Sequence, residues 1–161
     1  MIAKDVAALA RETYDNWRAL GFSHEQVCGG PLGAQQRETS FRLPIIGDKR
    51  GSDPDRWAYG KFQWHWIPRG KIILSGDPDR HIKGCGIDIR SASNSDQDKA
   101  AWWELNNVEK RALAEIKAAK TLEEMASAWV VFYEKSQNHA SDIRKQIRFG
   151  QAWAEKFKDL A

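Results

Sequence analysis

The sequence predicts a mainly α domain with a small β or irregular element near its middle. Three observations predict it. Apolar residues recur at three- and four-residue steps over both ends of the chain, capping signatures open two of those stretches, and the middle is crowded with Gly, Pro and Asp. At 161 residues the chain has the size of one domain, expected to span 1–161 and to bury a core without staples. Hydrophobic content of 42% and charged content of 29% exclude a disordered chain. No repeat or flexible linker divides the sequence.

From Ala3 to Leu20, Val6, Leu9, Ala10, Trp17 and Leu20 fall on one helical face, and Gly21 ends the helix. Ser23 with Gln26 forms a capping box, and Phe22 with Val27 a hydrophobic staple, so a second helix starts there and carries Glu38. Gly29, Gly30, Pro31 and Gly33 lie inside it, which predicts a kink or a close backbone approach. Residues 43–56 read as a loop, rich in Pro, Gly and Asp. Alternating Phe62, Trp64 and Trp66 suggest a short strand, residues 67–74 a helix, and residues 77–95 irregular chain. One long helix is expected from Gln97 to Ala119. Thr121 with Glu124 boxes the start of another through Tyr133, and Ser141 is expected to cap a last helix running through Ile143, Ile147 and Phe157.

The formal charge of +3 is interspersed, which suits an anionic polymer such as bacterial wall or nucleic acid. No basic stripe or DNA-reading motif accompanies it, so no nucleic-acid partner is expected. Five of the eight Trp fall between residues 57 and 103. Trp17, Trp129 and Trp153 sit at helical spacing and read as core, whereas Trp64 and Trp66 are the better groove candidates. Cys28, Cys85 and the four His are scattered; the thiols are expected free and buried, with no metal and no cofactor. The N-terminus is charged where a signal peptide needs an apolar run, and no stretch reaches membrane-spanning length. The expectation is a chain made in the cytoplasm without a signal peptide and without membrane insertion.

The chemistry concentrates in Gln35-Gln36-Arg37-Glu38-Thr39-Ser40-Phe41 and Ala58-Tyr59-Gly60-Lys61-Phe62-Gln63-Trp64-His65. A glycosidase needs a carboxylic acid kept protonated by apolar surroundings, beside a groove of amides and aromatics that holds a sugar chain. Glu38 supplies the acid, and Phe41, Phe62 and Trp64 are candidates for its apolar surroundings. Tyr59, Gln63, Trp64 and His65 are candidates for the groove, although Tyr59 packing behind the acid helix and Gln63 satisfying backbone groups are equally physical readings.

These segments, with Gly47-Asp48, Arg69, Gly86-Ile87-Asp88-Ile89, Ala100-Ala101-Trp102-Trp103-Glu104-Leu105 and Phe132-Tyr133-Glu134, resemble the phage tail lysozyme family of the lysozyme-like superfamily in their order along nearly the whole chain. The resemblance implies an α+β lysozyme-like fold and a muramidase that cleaves the β-1,4 bond between N-acetylmuramic acid and N-acetylglucosamine, with Glu38 as general acid. It implies bacterial peptidoglycan as partner, action at the cell wall or periplasm, and phage tail or particle proteins as further partners. Ser40, Tyr59, Gln63, Trp64 and His65 are the substrate-binding candidates. Asp48 is the first choice for a second carboxylate, with Asp53 and Asp55 as alternatives. Three positions depart from the family pattern: Thr39 replaces Ser, Ala34 a frequent Asn, and Lys61 an apolar residue. Lys61 is expected to place its charge near the groove or in solvent. Two alternatives stay open: a lytic transglycosylase in which Glu38 serves as both acid and base, and a non-catalytic wall-binding or virion structural domain that kept the fold.

Overall fold

The computed structural model describes residues 2–42, 46, 47, 49 and 51–161. Helix α1 (Ile2–Ala19) buries Ala10, Tyr14 and Trp17, and Gly21 makes the turn out of it at φ +92°. The capping box is formed: the Ser23 hydroxyl accepts from the Gln26 amide, and the Gln26 carboxamide accepts from the Ser23 amide. It opens one continuous helical path made of α2 (His24–Val27), a π-helical turn (Cys28–Leu32) and α3 (Gly33–Thr39), with Pro31 inside the turn.

Close approach is what the glycines of this path provide. A Cβ on Gly29 would lie 2.3 Å from the Leu122 carbonyl oxygen, and one on Gly150 would lie 2.8 Å from the Cys28 carbonyl oxygen. The π turn is thus clasped between α7 (Leu122–Ala128) and α8 (His139–Lys156). Buried Gln146 of α8 donates to the Gly29 carbonyl at 2.9 Å, which satisfies a backbone group that the wider turn leaves without its usual α-helical partner. Cys28 is a free, buried thiol whose pKa desolvation pushes up to about 12; Cys85 is free but only half-buried.

The β element is a two-residue hairpin, β1 (Ala58–Tyr59) against β2 (Trp64–His65), to which Ile46 bridges at Tyr59. A cis Ile67–Pro68 bond follows, then α4 (Lys71–Ser75). The stretch expected to be irregular contains a second hairpin, β3 (Gly76–Asp77) with β4 (Ile82–Lys83).

The single helix expected over 97–119 is two: α5 (Asn94–Asn107) and α6 (Lys110–Ala118). Asn106 and Asn107 turn their amides back onto the Trp102 and Trp103 carbonyls, at 2.7 and 2.8 Å, and the Glu104 carbonyl accepts from both Val108 and Glu109. Asn side chains compete with the helical ladder in this way, and the break redirects α6 so that Ala112 and Ile116 reach the core. The last helix starts at His139, ahead of the expected cap Ser141, and ends at Lys156. Its entry is organised by Ser136, whose hydroxyl accepts from the Asn138 amide and donates to Asp142.

Trp17 and Trp129 pack edge to face at the centre of the core, with Phe62 and Tyr133 against Trp129 at 5.3 and 4.8 Å. Trp153 is also buried, as expected of a core residue. Lys61 corrects the sequence expectation: it is fully buried, 2.6 Å from the Asp98 carboxylate, and donates to Thr13 and Asn94. Asp98 in turn accepts from Trp17 Nε1 at 2.7 Å and from Asn16. A charge in the core is tolerable only when paired and hydrogen-bonded, and this network ties the β1–β2 turn to α1 and α5. Among the described residues no helix is long and apolar enough to cross a membrane.

Candidate active site

Helix α3 ends on Glu38-Thr39. Thr39 is buried with its hydroxyl on the Gln35 carbonyl, and Ser40 leaves the helix in the left-handed region. That ending leaves the Glu38 side chain 23% exposed at the edge of a cavity of about 230 Å³. Phe62, Gln63 and His65 from the β1–β2 hairpin line the cavity, and so do Arg37, Glu134 and Asp142.

Arg37 organises the electrostatics. Its Nη1 is 2.6 Å from Glu38 Oε1 and 3.5 Å from Asp142 Oδ2, its Nη2 pairs with Glu134, and its Nε donates to Gln146 at 3.2 Å. Trp129 Nε1 holds the other Glu134 oxygen at 3.1 Å. One guanidinium faces three carboxyl groups and cannot neutralise them all. Burial pushes the Glu38 carboxyl above the ordinary carboxylate range. The Arg37 charge opposes that shift, and the Asp142 charge adds to it.

A larger cavity of about 690 Å³ adjoins the first, with His65 and Arg69 lining both. Arg69 is fixed by a bidentate pair with buried Glu104, 2.8 Å on each arm, and stacks over Tyr133. Asp53 and Asp55 line this larger cavity and not the one at Glu38.

The hairpin brings Gln63 and His65 to Glu38, as the sequence suggested. Gln63 has φ +52° and donates to the Gly60 carbonyl, and its side chain occupies the space that a Cβ on Gly47 would fill. Ser40 is exposed, with its hydroxyl 3.5 Å from the Gln36 carbonyl, and lines neither cavity. Tyr59 is buried and donates to the Pro54 carbonyl, so it braces the loop. Trp64 is completely buried, donating from Nε1 to Glu104 and Tyr133, and Trp66 is buried under the Arg90 guanidinium. Both indoles belong to the core side of the hairpin. Asp48 lies outside the described residues. Sequence reasoning missed Arg37, Glu134, Ser136 and Asp142. Arg37 adjoins the acid and Glu134 lies within a segment that carries the resemblance, but nothing local marks Asp142. Among the described residues no group of His, Cys, Asp and Glu is arranged to hold a metal ion.

A helical domain with a short hairpin beside a cleft, and a half-buried carboxyl at a helix end on the cleft wall, is lysozyme-like. The chain belongs to the phage tail lysozyme family, whose model matches residues 8–157. No curated protein and no solved structure matches it. Membership gives it a peptidoglycan-cleaving function at the level of the family, with bacterial peptidoglycan as the substrate class.

Proposed function

We propose that the protein is a muramidase that cleaves the β-1,4 bond between N-acetylmuramic acid and N-acetylglucosamine, with Glu38 as general acid. The observation that carries the reading is the Glu38 carboxyl itself, held at the cavity edge with its proton favoured by burial. Such a group can protonate the glycosidic oxygen as the bond breaks, a contribution of about 10²–10⁴ in rate. Gln63 and His65 offer polar contacts to the sugar chain at the same wall. Asp48, which falls between α3 and β1 in the sequence, stands as the proposed second carboxylate, either to orient a water or to stabilise oxocarbenium character. Phage tail or particle proteins are the further partners that this reading proposes.

A second reading is favoured by one observation. Both described carboxylates nearest Glu38, Glu134 and Asp142, are already engaged with Arg37. If Glu38 works alone, the sugar's own hydroxyl attacks and the enzyme is a lytic transglycosylase. Mass analysis of fragments released from purified peptidoglycan separates the two: reducing N-acetylmuramic acid ends mark the muramidase, and 1,6-anhydro ends the transglycosylase. Glu38→Gln should lower release by at least about a hundredfold in either case. Undiminished release by that variant would instead favour a binding or structural role for the domain.

A further inference from the structure

The larger cavity presents charges of both signs beside aliphatic surface, with no Trp, Tyr or Phe among its described lining residues to stack on a sugar ring. Such a lining matches a peptide that carries both carboxylates and an amino group. Asp53 and Asp55 stand on one side, where Pro54–Arg56 forms a short 3₁₀ turn, and Ile67 and Pro68 provide the apolar wall, with Ile67 49% exposed. Arg56 is exposed and has no ion-pair partner among the described residues. Among the described residues Asp53 receives only the Asp55 backbone amide, and Asp55 reaches Lys71 at a loose 4.0 Å. Arg69 is already saturated by Glu104 along one edge, so it is a wall and not the anchor.

We infer that this cavity is a subsite for the peptide stem of peptidoglycan, with Arg56 on a stem carboxylate, Asp53 and Asp55 on the amino group of its diamino acid, and Ile67 and Pro68 on the methyl groups of its alanines. The inference rests on the function proposed above. Cleavage beside N-acetylmuramic acid brings that sugar to Glu38, and its lactyl group launches the stem from the sugar into whatever space adjoins the acid. The adjoining space is this cavity, which shares two walls with the first. Charge-assisted hydrogen bonds then make the enzyme prefer glycan that still carries its stems.

The test is calorimetric titration of the Glu38→Gln protein with two soluble probes, a disaccharide-peptide muropeptide bearing the diamino acid and the same disaccharide without the peptide. The muropeptide should bind at least about tenfold more tightly. Arg56→Gln combined with Asp55→Asn should erase that difference while leaving the affinity for the bare disaccharide as it was. Equal affinities for the two probes overturn the inference. So does a double variant that weakens both probes alike, which would make the cavity a sugar site. Fragment release by the wild type is scored separately, so stem-dependent binding without any cleavage would reject the muramidase reading and keep the subsite.

Discussion

Glu38 and Asp142 face the same nitrogen of Arg37, at 2.6 and 3.5 Å, although one ends a helix near the front of the chain and the other sits in the first turn of the last helix. The acid's protonation is therefore set in part by a charge from the far end of the sequence. Activity that needs Glu38 protonated declines as pH rises through its pKa, which lies above the ordinary carboxylate value. Asp142→Asn removes a negative charge that helps retain the proton and leaves more of Arg37 to favour the ionised form. The Glu38 pKa should then fall, and the alkaline limb of the pH–activity profile should move to lower pH. A limb that stays in place or moves upward would show that Asp142 does not act on the acid.

Lys61 should be worth far more to stability than an exposed lysine. Lys61→Met leaves Asp98 charged and buried with part of its network gone, and breaking a buried pair from one side costs about 3–5 kcal/mol. Lys99→Met is the control, because its pair with Asp96 is largely exposed and should change stability by less than about 1 kcal/mol. Urea denaturation of both variants measures the difference, and similar midpoints would contradict the account.

Gly29→Ala should destabilise the protein despite favouring helix. The propensity gain is about 1 kcal/mol. Against it, the added Cβ would stand 2.3 Å from a backbone carbonyl oxygen of α7, which cannot swing aside as a flexible side chain would. Overpacking of this kind costs about 1–3 kcal/mol, so the clash should prevail. A higher melting temperature for this variant would mean that the π turn and α7 separate easily.

Trp64→Phe separates a core role from a groove role. The indole donates to Glu104 and Tyr133 and has no exposed surface. Its loss should cost about 1–3 kcal/mol of stability, with KM for peptidoglycan unchanged. A KM raised several-fold in a variant of normal stability would return Trp64 to the substrate wall.

What the sequence made legible was local. Ser23 with Gln26 and Thr121 with Glu124 are complete within four residues, and both boxes form. The glycines of the second helix announce a kink or a close approach without naming a partner, because Leu122 and Gly150 come from other helices. Alternation around Trp64 marked a strand correctly but not which side would be covered, since that depends on Glu104 and Tyr133 arriving from remote helices. From sequence Lys61 faces the groove or solvent for the same reason: Asp98 and Asn94 are brought to it only by the fold. In the cavity that holds the candidate acid, Glu38, Gln63 and His65 are legible from adjacent residues, whereas Asp142 is not.

The clasp of α8 over the glycine-lined π turn also has a temporal meaning. A nascent chain that has emerged only through α6 already contains Glu38, Gln63 and His65, yet lacks Glu134, Asp142 and Gln146, which surround Arg37 in the finished protein. Such a chain lacks the Asp142 charge that, after burial, helps the acid keep its proton in the finished protein. The acid and the charge that tunes it thus enter the chain at opposite ends, and a fragment ending before α8 carries the Glu38 carboxyl without its whole electrostatic setting.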